Sequence, residues 1–155
     1  MQKIKKINKG FVLLFTMVLS SILLAISVGV SNIALNEINF STSAKDTNNA
    51  FFAADTGIEC ALRYDRSDNN AFTGPALMNC AGNSITPTPS GSPASFWSFV
   101  VPRLGSDKQS CAIVSVDKSV LNSTKIISKG YNIGDPTNCT STNTNRVERE
   151  LEANY

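Results

Sequence analysis

The chain has no histidine. Without an imidazole, the Ser-His-Asp and Cys-His arrangements of nucleophilic catalysis have no general base. Zinc also loses its usual nitrogen ligand, and no two of the four cysteines stand at C-x-x-C spacing. There is no Gly-rich phosphate loop and no pair of carboxylates in an enclosing context. The expectation is a protein that is not an enzyme, with no catalytic residues, cofactor, metal or small-molecule substrate. Proline is absent before Pro75, so nothing upstream of it interrupts a helix. Charge is absent from Phe11 to Asn36. Excess positive charge is missing too, despite the net +2, because Lys3, Lys5, Lys6 and Lys9 hold four of the fourteen basic residues. Beyond residue 10 the count is ten basic against twelve acidic, a net of −2. No basic stripe is left to bind nucleic acid by charge, so any contact with it is indirect.

What is present begins with that basic leader, residues 1–10, ending at Gly10. The uncharged run that follows, Phe11 to about Asn32, is long enough to span a bilayer, which takes ~20 apolar residues. Only hydroxyls interrupt it (Thr16, Ser20, Ser21, Ser27, Ser31), and these can bond back to the helix's own carbonyls. Lysines on the N-terminal flank alone put that end in the cytoplasm and the remainder outside. A conventional secretory signal has an h-region of ~7–15 residues closed by a small-x-small site. This run is longer, and Asn32-Ile33-Ala34 fits that site poorly and Val28-Gly29-Val30 only marginally.

Helix-compatible sequence continues through residues 33–66. Phe40, Ala44, Phe51, Ala54, Ile58 and Ala61/Leu62 recur at three-, four- and seven-residue steps, as one helical face does. Asp55, Glu59 and Arg63 lie one turn apart on another face, with Glu59 and Arg63 in the favourable i,i+4 order. A single helix from Phe11 to about Tyr64 would measure roughly 80 Å.

The leader and its junction resemble those of type IV prepilins and type II secretion pseudopilins. That resemblance implies cleavage between Gly10 and Phe11 and N-methylation of the new terminus at Phe11. The stretch Ala50-Phe-Phe-Ala-Ala-Asp-Thr-Gly-Ile-Glu-Cys-Ala-Leu62 resembles the "A-F-x-A-A-E/D-x-G-I/L-E-x-A" signature of PilX-type minor pilins and K-type pseudopilins. Phe51, Ala54, Gly57 and Glu59 are its helix-packing positions here. The small residues Ala53, Ala54, Gly57 and Ala61 let a sheet or a neighbouring helix approach closely. An ordinary amphipathic helix with a small-residue contact face has the same pattern. Together the two signatures cover about the first 65 residues, and the rest matches in general plan only.

Most type IV pilins carry a glutamate at the fifth residue after the cut, where this chain has Phe15. A carboxylate in lipid is costly without a partner. In the family, that partner is thought to be the N-terminal amine of the subunit ahead. K-type subunits also lack the glutamate and are placed at the tip, and this helix lacks the central proline of major pilins as well. The resemblance therefore implies a role at the tip or in initiation, against an alternative of drift at a lipid-facing position. The partners it implies are other pilin subunits, a prepilin peptidase and an inner-membrane assembly platform. A membrane-anchored or secreted binding protein outside any pilus is the competing reading.

Residues 67–155 read as a globular head of α+β class. A small antiparallel sheet of about four strands is expected on the outer half of the helix. Ser95 to Val101 alternates, Cys111 to Val116 and Lys125 to Tyr131 are β-branched runs, and Arg146 to Tyr155 places Glu148, Glu150 and Glu152 on one face. That row of carboxylates would discourage edge-to-edge pairing. Gly82 to Ser95, with Pro87, Pro89 and Pro93, reads as a loop. In an exported head the cysteines are expected as two disulfides. Four cysteines allow three pairings. Cys60–Cys80 and Cys111–Cys139 are favoured, as ties from the irregular segment to the helix and from the last loop to the sheet. Buried free thiols are the alternative. Asp65, Asp68, Asn69 and Asn70 carry oxygens that suit calcium, and they equally suit a helix exit and turn.

Overall fold

The computed structural model describes residues 9–68, 70–74, 76–91 and 94–155. The leader residues 1–8 lie outside this set, as do Asn69, Pro75 and Pro93. The expected helix forms as α1, Lys9–Asp65, unbroken by proline and ending one residue beyond the expected Tyr64. The chain divides into two compact units, one through Thr42 and one from Ser43 to Tyr155.

In the first unit the helix holds an 18-residue window of mean hydropathy 2.6, none of it buried in the protein. It is long and apolar enough to cross a membrane. Its hydroxyls turn inward onto the backbone: Thr16 donates to the Leu13 carbonyl at 2.9 Å, Ser20 to Thr16 at 2.7 Å, Ser21 to Val18 at 2.8 Å and Ser31 to Ser27 at 3.0 Å. These bonds leave the flanks of the helix apolar.

The second unit joins the last part of α1 to seven strands. They are β1 (Met78–Cys80), β2 (Asn83–Ile85), β3 (Thr88–Ser90), β4 (Phe96–Leu104), β5 (Ser110–Asp117), β6 (Lys125–Tyr131) and β7 (Glu148–Asn154). The strands β3-β4-β5-β6-β7 form one antiparallel sheet in chain order, and β1-β2 form a separate hairpin. The α+β layout stands, but the expected four strands become five plus the hairpin.

The Gly82–Ser95 segment is not simply a loop. It supplies β2 and β3, and Pro89 pairs opposite Trp97. Thr88 and Ser90 carry the bonding to β4, so the nitrogen of Pro89 points off the edge of the sheet, where no N–H is needed. In β4 the register shifts between Val101 and Leu104, where Arg103 takes a positive φ of 56°.

Burial alternates along the central strands and shows which face is inside, as the alternation of Ser95 to Val101 in the sequence leads one to expect for β4. Trp97, Phe99 and Val101 of β4, Ala112, Val114 and Val116 of β5, and Ile126 of β6 point toward the helix. There they pack with Ala53, Ile58 and Ala61 of α1 and with Phe72 and Met78. Phe72 stacks on Phe99 and meets Trp97 edge-on, each at a 6.2 Å centroid separation. A smaller cluster forms around Cys111, Tyr131 and Cys139.

Candidate functional site

The seam between α1 and the sheet is built from the smallest residues available. Ala50, Ala53, Ala54, Gly57 and Ala61 are buried along one side of the helix. Gly57 faces Ser128, Val114 and Ala112. A Cβ on it would lie 2.8 Å from Val114 Cγ2 and 3.1 Å from the Ala112 Cβ. From the other side, Gly130 of β6 lies against the helix backbone at Ala50 and Ala54. Any side chain at Gly130 would strike that backbone, so glycine is what permits the approach.

This geometry changes the expected contact face. Phe40, Ala44, Phe51 and Phe52 are exposed, as is Glu59. Only Ala54, Ile58 and Ala61 of the face read from the sequence, with half-buried Leu62 beside them, pack on the sheet. Of the four signature positions, Ala54 and Gly57 sit in the seam, whereas Phe51 and Glu59 turn away from it. The reason is steric. A sheet this close accepts alanine and glycine and displaces phenylalanine to the outside, where Phe51 and Phe52 meet edge-on at 5.9 Å. No ion pair joins Glu59 to Arg63 among the described residues.

Two disulfides tie irregular chain to this frame. Cys60 of α1 is bonded to Cys80 at the end of β1, with the Cα atoms 5.7 Å apart. Cys111 of β5 is bonded to Cys139, with the Cα atoms 5.8 Å apart. This is the connectivity favoured from the sequence. The first bridge is reinforced where the Asn79 amide donates to the Tyr64 hydroxyl at 2.8 Å. The loop of the second is organised by Asp135, which accepts from the amides of Thr137 (2.7 Å), Asn138 (2.9 Å) and Thr140 (3.1 Å) and from the Thr140 hydroxyl. The Thr140 hydroxyl and these amides hold the Asp135 carboxyl down at about 2. Arg146 lies 3.7 Å over the Tyr131 ring and donates to the Cys139 carbonyl at 2.6 Å.

Asp65 closes the end of α1. Its carboxylate pairs with Lys118, accepts from the Tyr155 hydroxyl at 2.6 Å and from Asn70 Nδ2 at 3.1 Å. Burial alone pushes the Asp65 carboxyl up, but the Lys118, Tyr155 and Asn70 contacts together outweigh it and the net shift is downward. The same contact, after burial, raises the Tyr155 phenol to about 12. Asp65 and Asn70 thus serve the helix exit. Asn70 also accepts from the Phe72 amide at 2.8 Å. Asn69, named with them as a calcium candidate, lies outside the described residues. Among the described residues no group of three or more His, Cys, Asp or Glu side chains is placed to hold a metal.

Of the remaining positions singled out in the sequence, Gly10 and Phe11 fall in the first turns of α1. Phe15 is 56% exposed on the helix surface. A groove of about 360 Å³ beside the Cys60–Cys80 bridge has Glu59 and Arg63 as its charged groups, and its lining pairs no nucleophile with a base. No family model, curated protein or solved structure matches this chain.

Proposed function

We propose that this protein is a minor pilin or pseudopilin subunit of a type IV pilus or related filament, acting in assembly initiation or at the tip. The observation that carries the reading is α1 itself. One unbroken helix begins as an exposed apolar segment that suits a bilayer and ends in a small-residue face covered by an antiparallel sheet. A cleavable export signal has no reason to continue into the core helix of the domain it delivers. A polymerising subunit does, because the apolar half exchanges lipid for neighbouring helices while the other half carries the head. The basic leader ending at Gly10 supplies the peptidase site, and Phe11 becomes the methylated terminus. Before assembly the chain is a single-pass membrane protein with its head extracytoplasmic, and afterwards it is part of a surface filament.

Phe15 supports the tip role. It offers no carboxylate to an amine ahead of it, whereas the amine of Phe11 stays available to a subunit behind. Deleting the protein should lower filament number strongly, purified filaments should contain traces of it, and labelling should find it at filament ends. Decoration along the filament at stoichiometric abundance would exclude the tip role. Unchanged filaments in the deletion strain would favour a membrane-anchored binding protein instead.

A further inference from the structure

The five-stranded sheet has two edges, and they are not alike. The β3 edge is three residues long and carries Pro89 with its nitrogen outward, which blunts it. The β7 edge is seven residues long, has no proline, and pairs with no further strand among the described residues.

The direction of each β7 peptide follows from the ladder. Tyr155 and Thr124 exchange both backbone hydrogen bonds, at 3.1 and 2.7 Å, and the Asn132 amide donates to the Val147 carbonyl at 3.3 Å. Bonded pairs alternate in an antiparallel ladder. Val147, Arg149, Leu151, Ala153 and Tyr155 therefore bond inward to β6. Glu148, Glu150, Glu152 and Asn154 aim their N–H and C=O groups off the open edge. Three of these four outward-facing residues, Glu148, Glu150 and Glu152, are thus also those that bear the carboxylates.

Those carboxylates share the outer face with two lysines of β6. Lys129 lies 3.4 Å from Glu148 and 3.3 Å from Glu150, and Lys125 lies 3.0 Å from Glu152. Arg149 sits on the opposite face, toward Thr47 at 3.4 Å, and its Nη1 also donates to the Glu148 carbonyl at 3.3 Å, so that one edge acceptor is shared. One carboxylate charge is left over, and each carboxylate can accept about four hydrogen bonds. Their outer sides remain open. A second copy of β7 would set glutamate against glutamate, which is unfavourable across a strand pair. The charge row therefore rejects self-pairing and selects its opposite.

We propose that the β7 edge docks an extended basic segment of a partner protein. That segment would add a sixth strand, with lysine or arginine at alternate positions facing Glu148, Glu150 and Glu152. The backbone bonds give the attachment and the alternating charges give the choice of partner. This does not depend on the filament reading, since the edge belongs to the second unit whatever that unit serves.

The test uses the full chain, oxidised, in non-ionic detergent, and a fluorescent seven-residue peptide alternating threonine and lysine. Saturable, salt-sensitive binding is expected, and none for the threonine–glutamate peptide. Methylating alternate backbone nitrogens of the basic peptide, which keeps its charge, should weaken binding about tenfold or more. Glu150→Pro should do the same while leaving the unfolding midpoint near that of the parent, because the N–H it removes bonds nothing in the sheet; Glu150→Gln should lose only a few-fold. Absence of saturable binding, or equal binding by the methylated peptide, would overturn the proposal. So would a dimer of the chain itself that Glu150→Pro dissolves. Should Glu150→Pro fail to fold, the methylated peptide still decides.

Discussion

Replacing Gly130 by alanine tests whether the helix–sheet seam holds the head together. A Cβ on Gly130 would fall on the Ala50 carbonyl oxygen and the Ala54 amide nitrogen, and 2.9 Å from the Ala54 Cα. These are helix backbone atoms, so no rotamer change relieves the clash and α1 must move off the sheet. Overpacking costs about 1–3 kcal/mol, occasionally more, and a rigid obstacle belongs at the upper end, near 3 kcal/mol or above. Gly57→Ala is the internal comparison. Its Cβ meets the side chains of Ser128 and Val114, and the buried Ser128 hydroxyl has no hydrogen-bond partner among the described residues to lose on rotating. Alanine also returns about 1 kcal/mol of helix propensity there, leaving a net cost of about 0–2 kcal/mol. The chain's one tryptophan, Trp97, is 4% exposed in this core and reports its loss. Urea unfolding of the oxidised full chain in non-ionic detergent, followed by Trp97 fluorescence, gives both values. Gly130→Ala within about 0.5 kcal/mol of the parent, a surface-like effect, or less costly than Gly57→Ala, would refute the account of the seam.

Peptide mapping without reductant should recover Cys60 joined to Cys80 and Cys111 to Cys139; four alkylatable thiols in native protein would contradict both bridges. Removing Cys60 and Cys80 together should cost about 3 kcal/mol by chain entropy, given their separation of 20 residues. Acid should act through Asp135. Its folded pKa of about 2 lies below the ordinary 3.8, so its contribution is present above pH ~4 and is lost as pH falls toward ~2. NMR of the Thr137, Asn138 and Thr140 amides should show that midpoint, and a midpoint near 3.8 would deny the bonds. Gly10→Val should leave the precursor in the inner membrane at full mass, because a side chain there obstructs the peptidase; normal maturation would count against the site.

The long helix was legible because its signals are local: an uncharged run, helical periodicity beyond it, and no proline. Strands β4 to β7 were legible for the same reason, since alternation marks β4 and β7 and β-branched runs mark β5 and β6. The face of the helix that packs was legible in its small residues Ala53, Ala54, Gly57 and Ala61, which are buried. The periodic pattern, weighted toward large residues, wrongly added Phe40, Ala44 and Phe51, which are exposed. Ala50, Ala53, Gly57 and Gly130 approach so closely that size works in reverse, with Phe51 and Phe52 left outside. Strands β2 and β3 were hidden in a Ser-, Thr- and Pro-rich segment, since Pro89 is compatible with a strand only at an edge that composition does not reveal. Asp65 looked like a turn residue because Lys118 and Tyr155, its partners, lie far along the chain and meet it only once the sheet has formed.

The central claim is that a peptidase cuts the chain after Gly10 and leaves the rest of α1 in place. Mass spectrometry of the mature protein from its native membrane tests it most directly. A chain beginning at Phe11 with a methylated amine is expected. A chain that keeps Met1, or one that begins beyond residue 30, would contradict the account.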